Sequence, residues 1–219
     1  AKEVMSQETA DYLDNVVAID HYIKDSSNMG VYVDYFAKER KSKVLVSEFG
    51  APIPDINGPM TEQEQADFVD AVFLELYKKK ANVVGINYNV LNFGTTELLN
   101  TDGSHRKVYD VVKKYYSPGI VQGTVSDSLG NPLPNITVKT SDGIDSTKTD
   151  TDGRYYLIAV PRDITLQVGG GDYTTASAKL AVSSASAQST YNFSISPITP
   201  EALYKIREFL KDFLSRAAS

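Results

Sequence analysis

The chain of 219 residues contains no cysteine and no tryptophan, and only two histidines. Without thiols it can form no disulfide, zinc finger, iron–sulfur cluster or thiol nucleophile, although the absence leaves the redox compartment open. No stretch approaches the roughly 18 consecutive apolar residues that span a bilayer, and the N-terminal AKEVMSQETA lacks the apolar core of a signal peptide. A basic block is also missing. With 22 Lys plus Arg against 28 Asp plus Glu, the formal charge is -6, and nothing in the chain is suited to follow a phosphate backbone. Nucleic acid is therefore not an expected partner. What remains, 42% hydrophobic and 23% charged, is the composition of an ordinary globular chain.

Periodicity changes near Ser117-Pro118-Gly119 and divides the chain. Before it, short apolar runs (Val16 to Ile19, Val44 to Val46, Val83 to Ile86) alternate with helical patterns over 31–41, 61–80 and 105–116. That order reads β-α-β-α-β-α, a parallel sheet covered by helices, preceded by the end of another helix in MSQETADYLD. Thr61 and Glu64 form the capping-box spacing, and Phe68, Val69, Val72, Phe73, Leu76 and Tyr77 follow on one helical face. After the boundary, turn signals recur every 8–12 residues and predict seven short strands between 119 and 195, an antiparallel β-sandwich. Thr199-Pro200-Glu201 then opens an amphipathic helix with Leu203, Ile206, Leu210, Phe213 and Leu214 along one stripe. Three segments follow: 1–117, 118–196 and 197–219.

Chemistry in a parallel α/β sheet gathers where strands end at their carboxyl side. Asp20-His21-Tyr22 follows the first run, Ser47-Glu48-Phe49-Gly50 the second and Asn87-Tyr88-Asn89 the third. A carboxylate at such a position must be paired or put to use, because an unpartnered buried charge costs several kcal/mol. Glu48 is thus the leading candidate, with His21 and Tyr22 placed to orient it.

These residues carry a family resemblance. VLVSEFGAP resembles the seventh strand of the clan A glycoside hydrolases, (β/α)8 barrels of the cellulase and mannanase kind, in which the Glu before Phe-Gly is the nucleophile. VVAIDHYI resembles their sixth strand, and NVVGINYNVLNFGTTELLNTDGSHRKVYDVVKKYY their eighth strand and closing helix. The resemblance implies the C-terminal portion of such a barrel over residues 1–117, with Glu48 as nucleophile and His21, Tyr22, Tyr88 and Asn89 at the substrate, a polysaccharide or oligosaccharide. It implies retention of configuration and no cofactor or metal. Asn89 stands where relatives carry a Trp that floors a sugar subsite, which moves stacking to Tyr88 or Phe93. The acid/base Glu of the family, in an Asn-Glu pair after the fourth strand, is not matched, so it and the remaining barrel strands are expected from the same parent protein or another chain.

GIVQGTVSDSLGNPLPNITVKTSDGIDSTKTDTDGRYYLIAVPRDITLQV resembles the carboxypeptidase-regulatory-like, transthyretin-like β-sandwich, through Gly123, Val125, Asp127, Gly130, Pro132, Leu133 and Val138 and then Thr149, Asp150, Gly153 and Tyr155. Such modules are common on exported and surface proteins, which implies an extracellular or cell-surface location. Asp150-Thr-Asp152-Gly153 lacks the twelve-residue ligand pattern of a calcium loop. Asn135-Ile-Thr137 and Asn192-Phe-Ser194 have the form of glycosylation sequons. Two functions remain open: a retaining glycoside hydrolase fragment contributing the nucleophile, and a non-catalytic surface, adhesive or carbohydrate-binding protein with a degenerate barrel.

Overall fold

The computed structural model describes residues 6–184, 188–199, 201, 204–205 and 208–211. The chain divides into two compact units, Ala1–Tyr116 and Ser117–Ser219. In the first, α1 (Gln7–Tyr12), β1 (Val16–Asp20), α2 (Ser27–Glu39), β2 (Lys43–Phe49), the single-turn α3 (Pro54–Asn57), α4 (Glu62–Lys78), β3 (Val83–Tyr88) and α5 (Lys107–Tyr116) follow in order. The strands pair β1-β2-β3, all parallel. Helical crossovers between parallel neighbours are what the alternating pattern demanded.

The helices form where their apolar residues repeat at helical spacing. Met29, Val33 and Phe36 are buried on α2, and Val69, Val72, Phe73 and Leu76 on α4. These pack with Val17, Ile19, Val44 and Val46 of the strands into one core. α4 starts at the capping box read from the sequence: Thr61 Oγ1 accepts from the Glu64 amide, and Glu64 Oε2 accepts from the Thr61 amide at 2.8 Å. Ion pairs Lys79–Asp34 and Lys114–Asp70, each 2.7 Å, tie α4 to α2 and α5. On β1 the alternation is strict, with Val17 and Ile19 buried and Ala18 and Asp20 exposed. Among the described residues the first unit thus holds three parallel strands with helical crossovers.

The strands run further than their apolar runs. β2 continues through Ser47 and Glu48 to Phe49, and β3 to Tyr88. The ladder stays intact past the apolar part: the His21 amide donates to the Glu48 carbonyl at 3.0 Å, and the Asn89 amide to the Phe49 carbonyl at 2.7 Å.

The second unit contains β4 (Gly119–Ser126), β5 (Thr137–Thr140), β6 (Ser146–Lys148), β7 (Arg154–Ala159), β8 (Arg162–Gly170), β9 (Tyr173–Val182), β10 (Gln188–Thr190) and β11 (Phe193–Ser194). One sheet is ordered β6-β5-β8-β9, and in the other β4 is flanked by β7 on one side and by β10 and then β11 on the other. Val121, Val125, Tyr155 and Leu157 of one sheet share a core with Val138, Ile164, Leu166 and Val168 of the other. Two sheets facing across one core form a sandwich.

Its last strand departs from expectation. The last of the seven predicted strands, ending at 195, is two short strands, both parallel to β4, so the sandwich is mixed rather than antiparallel. The break lies at Tyr191-Asn192. The Tyr191 carbonyl accepts from the Tyr155 hydroxyl at 2.7 Å, and Asn192 Oδ1 takes the Thr124 amide that a ladder partner would use. Gly123 permits this close approach, since a Cβ there would lie 1.8 Å from the Tyr191 carbonyl oxygen. At the Asp150–Gly153 turn, Asp150 Oδ1 accepts from the amides of Asp152 and Arg154, an Asx-type turn closed by Gly153 at φ +71°. Most of the stripe predicted for the C-terminal helix (Leu203, Ile206, Phe213 and Leu214) lies outside the described residues. Those described at 201, 204–205 and 208–211 are helical.

Candidate functional site

The site is set by one extra residue in β2. Ile19 pairs with Val46 but Asp20 with Glu48, and on the other side Val46 pairs with Ile86 while Phe49 pairs with Tyr88. β2 therefore carries one residue more than both neighbours at Ser47-Glu48, a β-bulge. Val44 and Val46 point to the helices, and strict alternation would send Glu48 after them into the apolar layer. The bulge reverses the phase. Phe49 is fully buried instead, packed edge-on to Phe73 of α4 at 6.3 Å, and Glu48 faces the opposite side.

Alternation on the flanking strands brings two partners to that face. Tyr22 shares the phase of the exposed Ala18 and Asp20, and Asn89 that of the exposed Asn87. The Tyr22 hydroxyl donates to Glu48 Oε1, and Asn89 Nδ2 donates to the same oxygen at 2.7 Å. Asn89 Nδ2 also lies 3.4 Å from the Tyr22 hydroxyl. Burial, and then the hydrogen bond to Glu48, push the Tyr22 phenol above its ordinary pKa, so it remains a donor at neutral pH. Among the described residues Glu48 Oε2 has no hydrogen-bond partner. The Asp20 carboxylate, beside Glu48 in register, accepts from Ser47 Oγ at 2.8 Å.

His21 and Tyr88, which the sequence reading placed at the substrate, occupy the other phase. The His21 ring meets Tyr32 of α2 edge-on, with centroids 4.0 Å apart, and its Nε2 is buried without a hydrogen-bond partner. Burial lowers its pKa and favours the neutral ring. The Tyr88 ring packs against Phe49, and its hydroxyl donates to the carbonyls of Thr96 at 2.8 Å and Ala51 at 3.2 Å. Burial pushes that phenol up to about 12. Tyr88 therefore has neither a free hydroxyl nor an exposed ring to offer a sugar. Phe93 does: it sits at the tip of the loop after β3, at φ +67° and 86% exposed.

The loops beneath the trio are anchored by a residue that the hydropathy pattern does not reveal. Gln65, on the first turn of α4, is fully buried. Its Nε2 donates to the Ala51 carbonyl at 2.8 Å, and its Oε1 accepts from Arg106 Nε and Nη2 at 3.2 and 3.1 Å. Arg106 also pairs with Glu97 at 3.3 Å. The signal available in the sequence was positional, since Gln65 lies one helical turn before Val69 on the core stripe. Gly50 completes the support. A Cβ there would lie 2.1 Å from the Asn89 carbonyl oxygen, so the glycine lets the strand carrying Asn89 close onto β2.

A carboxylate with one oxygen fixed by two donors and the other open can accept sugar hydroxyls through charge-assisted hydrogen bonds, or attack an electrophilic carbon. Retaining hydrolysis needs in addition a second carboxyl group about 5 Å away to protonate the leaving oxygen.

Residues 120–196 match the carboxypeptidase regulatory-like domain, in agreement with the resemblance carried by the Gly123 to Tyr155 motif. The match lies in the second unit, and the barrel resemblance of residues 1–117 stands on motif and strand order alone. No curated protein matches the chain. Similar solved structures include a type II cohesin–X-dockerin complex mutant from Acetivibrio cellulolyticus, at 18% identity over 36% of this chain and 58% of that one, with a TM-score of 0.29. A candidate carbohydrate binding protein from Bacteroides uniformis shows 15% identity over 36% of this chain and 41% of that one, with a TM-score of 0.29. A DUF3823 family protein from Parabacteroides merdae shows 13% identity over 37% and 47%, with a TM-score of 0.30. The chain spans less than two thirds of each of these structures.

Proposed function

We propose that this chain is a carbohydrate-binding protein of the cell exterior, with a barrel-derived first unit that holds a glycan at Glu48, Tyr22 and Asn89 without cleaving it. The observation that carries the proposal is the hydrogen-bonded trio itself. It leaves one preorganised carboxylate oxygen unbonded among the described residues, while the neighbouring Asp20 carboxylate accepts from Ser47 Oγ. Oε2 would accept hydroxyls of the sugar, Tyr22 and Asn89 would keep the carboxylate from rotating, and the exposed Phe93 would offer a ring to the apolar face of a neighbouring sugar. A carbohydrate partner is also in keeping with the regulatory-like sandwich, which the resemblance places on exported proteins.

The test combines binding with turnover. Calorimetry against a panel of β-linked glucan, mannan, xylan and galactan oligosaccharides should show binding to one class, weakened about tenfold or more by Glu48→Ala, while aryl β-glycosides release no phenol. Loss of one charge-assisted hydrogen bond, about 1.5–3 kcal/mol, sets that scale. If no oligosaccharide of the panel binds, the proposal fails.

One observation favours a second reading, a retaining glycoside hydrolase of the β-glycanase type. Both donors fix Oε1 and leave Oε2 open, the arrangement a carboxylate nucleophile requires. Here the acid/base carboxyl and the remaining strands come from elsewhere in the parent protein or from another chain. Phenol release that Glu48→Gln abolishes would put this reading in place of the first.

A further inference from the structure

The sandwich has an outer face that its fold does not explain. β7 alternates strictly: Tyr155, Leu157 and Ala159 point into the core, and Arg154, Tyr156 and Ile158 point out. Tyr156 and Ile158 are 60% and 62% exposed, an adjacent pair of large apolar side chains on one strand. Register fixes what stands beside them. Ile158 lies opposite Ile120, Tyr156 opposite Gln122 and Arg154 opposite Thr124, while Thr190 of β10 flanks Gln122 on the far side. A cavity of about 180 Å³ opens on this face, lined among others by Gln122, Arg154, Tyr156, Thr190 and Asn192.

The lining has a definite chemistry. Tyr156 supplies a flat aromatic surface. Asn192 is pinned by its Oδ1, which accepts from the Thr124 amide and hydroxyl at 3.0 and 3.1 Å, so its Nδ2 is left to donate outward. Gln122 and Thr190 add a neutral amide and a hydroxyl. Among the described residues Arg154 is the only charged group in the lining. Its contact with Asp152 is 3.5 Å long between side chains that are both mostly exposed, a pair of negligible strength that a better partner displaces. In a chain of net charge -6, a lining whose charged group is a guanidinium held only by the weak Asp152 contact is complementary to a carboxylate, which Arg can take bidentately. One apolar ring face, several convergent hydrogen-bonding groups and one cation make up the recognition set of a small polar ring with an acidic substituent.

We infer that the outer face of β7, β4 and β10 is a second binding site, separate from the Glu48 trio, and that it takes a uronate residue of an acidic glycan. The C–H face of the sugar stacks on Tyr156 beside Ile158. Its hydroxyls meet Gln122, Thr190 and Asn192, and its carboxylate meets Arg154. The site rests on the second unit alone, so it stands or falls separately from the function proposed for the first.

The test uses the whole chain and two probes, tetragalacturonate and its methyl ester, which replaces each negative charge by a neutral ester methyl, with binding measured by calorimetry. The acid should bind at least tenfold more tightly than the ester. Arg154→Gln should remove that preference, and Tyr156→Ala should weaken both probes. Arg154 and Tyr156 are exposed, so both variants should unfold at the wild-type temperature. The Glu48→Ala chain should keep the acid-over-ester preference intact. Equal affinity for acid and ester, no binding of either, or tight binding that both variants leave unchanged would each overturn the inference.

Discussion

Replacing Gln65 by Leu tests whether a buried polar network holds up the Glu48 face. The substitution keeps the size of the side chain and removes both its donor and its acceptor. The larger loss is the acceptor, because Oε1 receives two N–H groups of Arg106, a guanidinium only 18% exposed. Hydrogen bonds to charged groups contribute about 1.5–3 kcal/mol, and Arg106 keeps its 3.3 Å contact with Glu97, so the loss falls within that range. The Ala51 carbonyl loses Gln65 Nε2 but keeps the Tyr88 hydroxyl at 3.2 Å, which limits its share to about 0.5–1 kcal/mol. Together the cost is about 2–4 kcal/mol to the first unit, equivalent to a lowering of its unfolding temperature by about 10–20 °C. Differential scanning calorimetry should show the transition of the first unit move while that of the second stays in place. Because Arg106→Met removes the guanidinium that Gln65→Leu deprives of its acceptor, Gln65→Leu/Arg106→Met should cost less than the two single substitutions summed, with the loss of the Glu97 partner common to the single and double Arg106 variants. A Gln65→Leu protein within 0.5 kcal/mol of wild type, or strict additivity in the double variant, would refute the network.

Gly50→Ala places a methyl group 2.1 Å from the Asn89 carbonyl oxygen and 3.0 Å from Thr96 Cβ, so the strand end carrying Asn89 must move. Overpacking of this kind costs about 1–3 kcal/mol. Denaturant unfolding should register it together with loss of glycan binding at Glu48, and an unchanged midpoint would show that the close approach is not required. His21 predicts a pH dependence. Its folded pKa lies below 6.5, so as pH falls through about 6.5 the unfolded chain takes up a proton that the folded chain refuses, and stability declines until the folded value is reached. The midpoint of the first unit should therefore begin to drop as pH falls below about 6.5, and His21→Gln should flatten that limb. Carboxyls held low by their turns, such as Glu64 and Asp102, lose their contribution only below about pH 4.5, so the two limbs are separable. An equally steep decline in His21→Gln would remove His21 as the source.

Much of the fold was legible from periodicity. A repeat of 3.6 residues with a capping box defines α4 from Thr61 onward, and period 2 with glycine turns defines β7 and its neighbours, because burial on one face writes itself directly into the order of residues. The apolar runs under-measured β2 and β3. Hydropathy marks only the buried part of a strand, while the backbone ladder continues through Ser47, Glu48 and Asn87. The split of the last sandwich strand was also beyond reach, since it depends on the Tyr191 carbonyl settling over Gly123, a contact of high sequence separation.

The sequence by itself determined which residues stand at the carboxyl ends of three parallel strands: His21 and Tyr22, Glu48, Tyr88 and Asn89. That follows from strand order and needs no knowledge of packing. Which of the five meet was decided only by the tertiary structure. A side chain in a strand has two possible sides, and a single extra residue exchanges them. The bulge at Ser47-Glu48 turned Glu48 out to join Tyr22 and Asn89 and sent Phe49 inward. The alternation of β1, and that of β3 from Ile86 onward, carried His21 and Tyr88 into the helix layer with it.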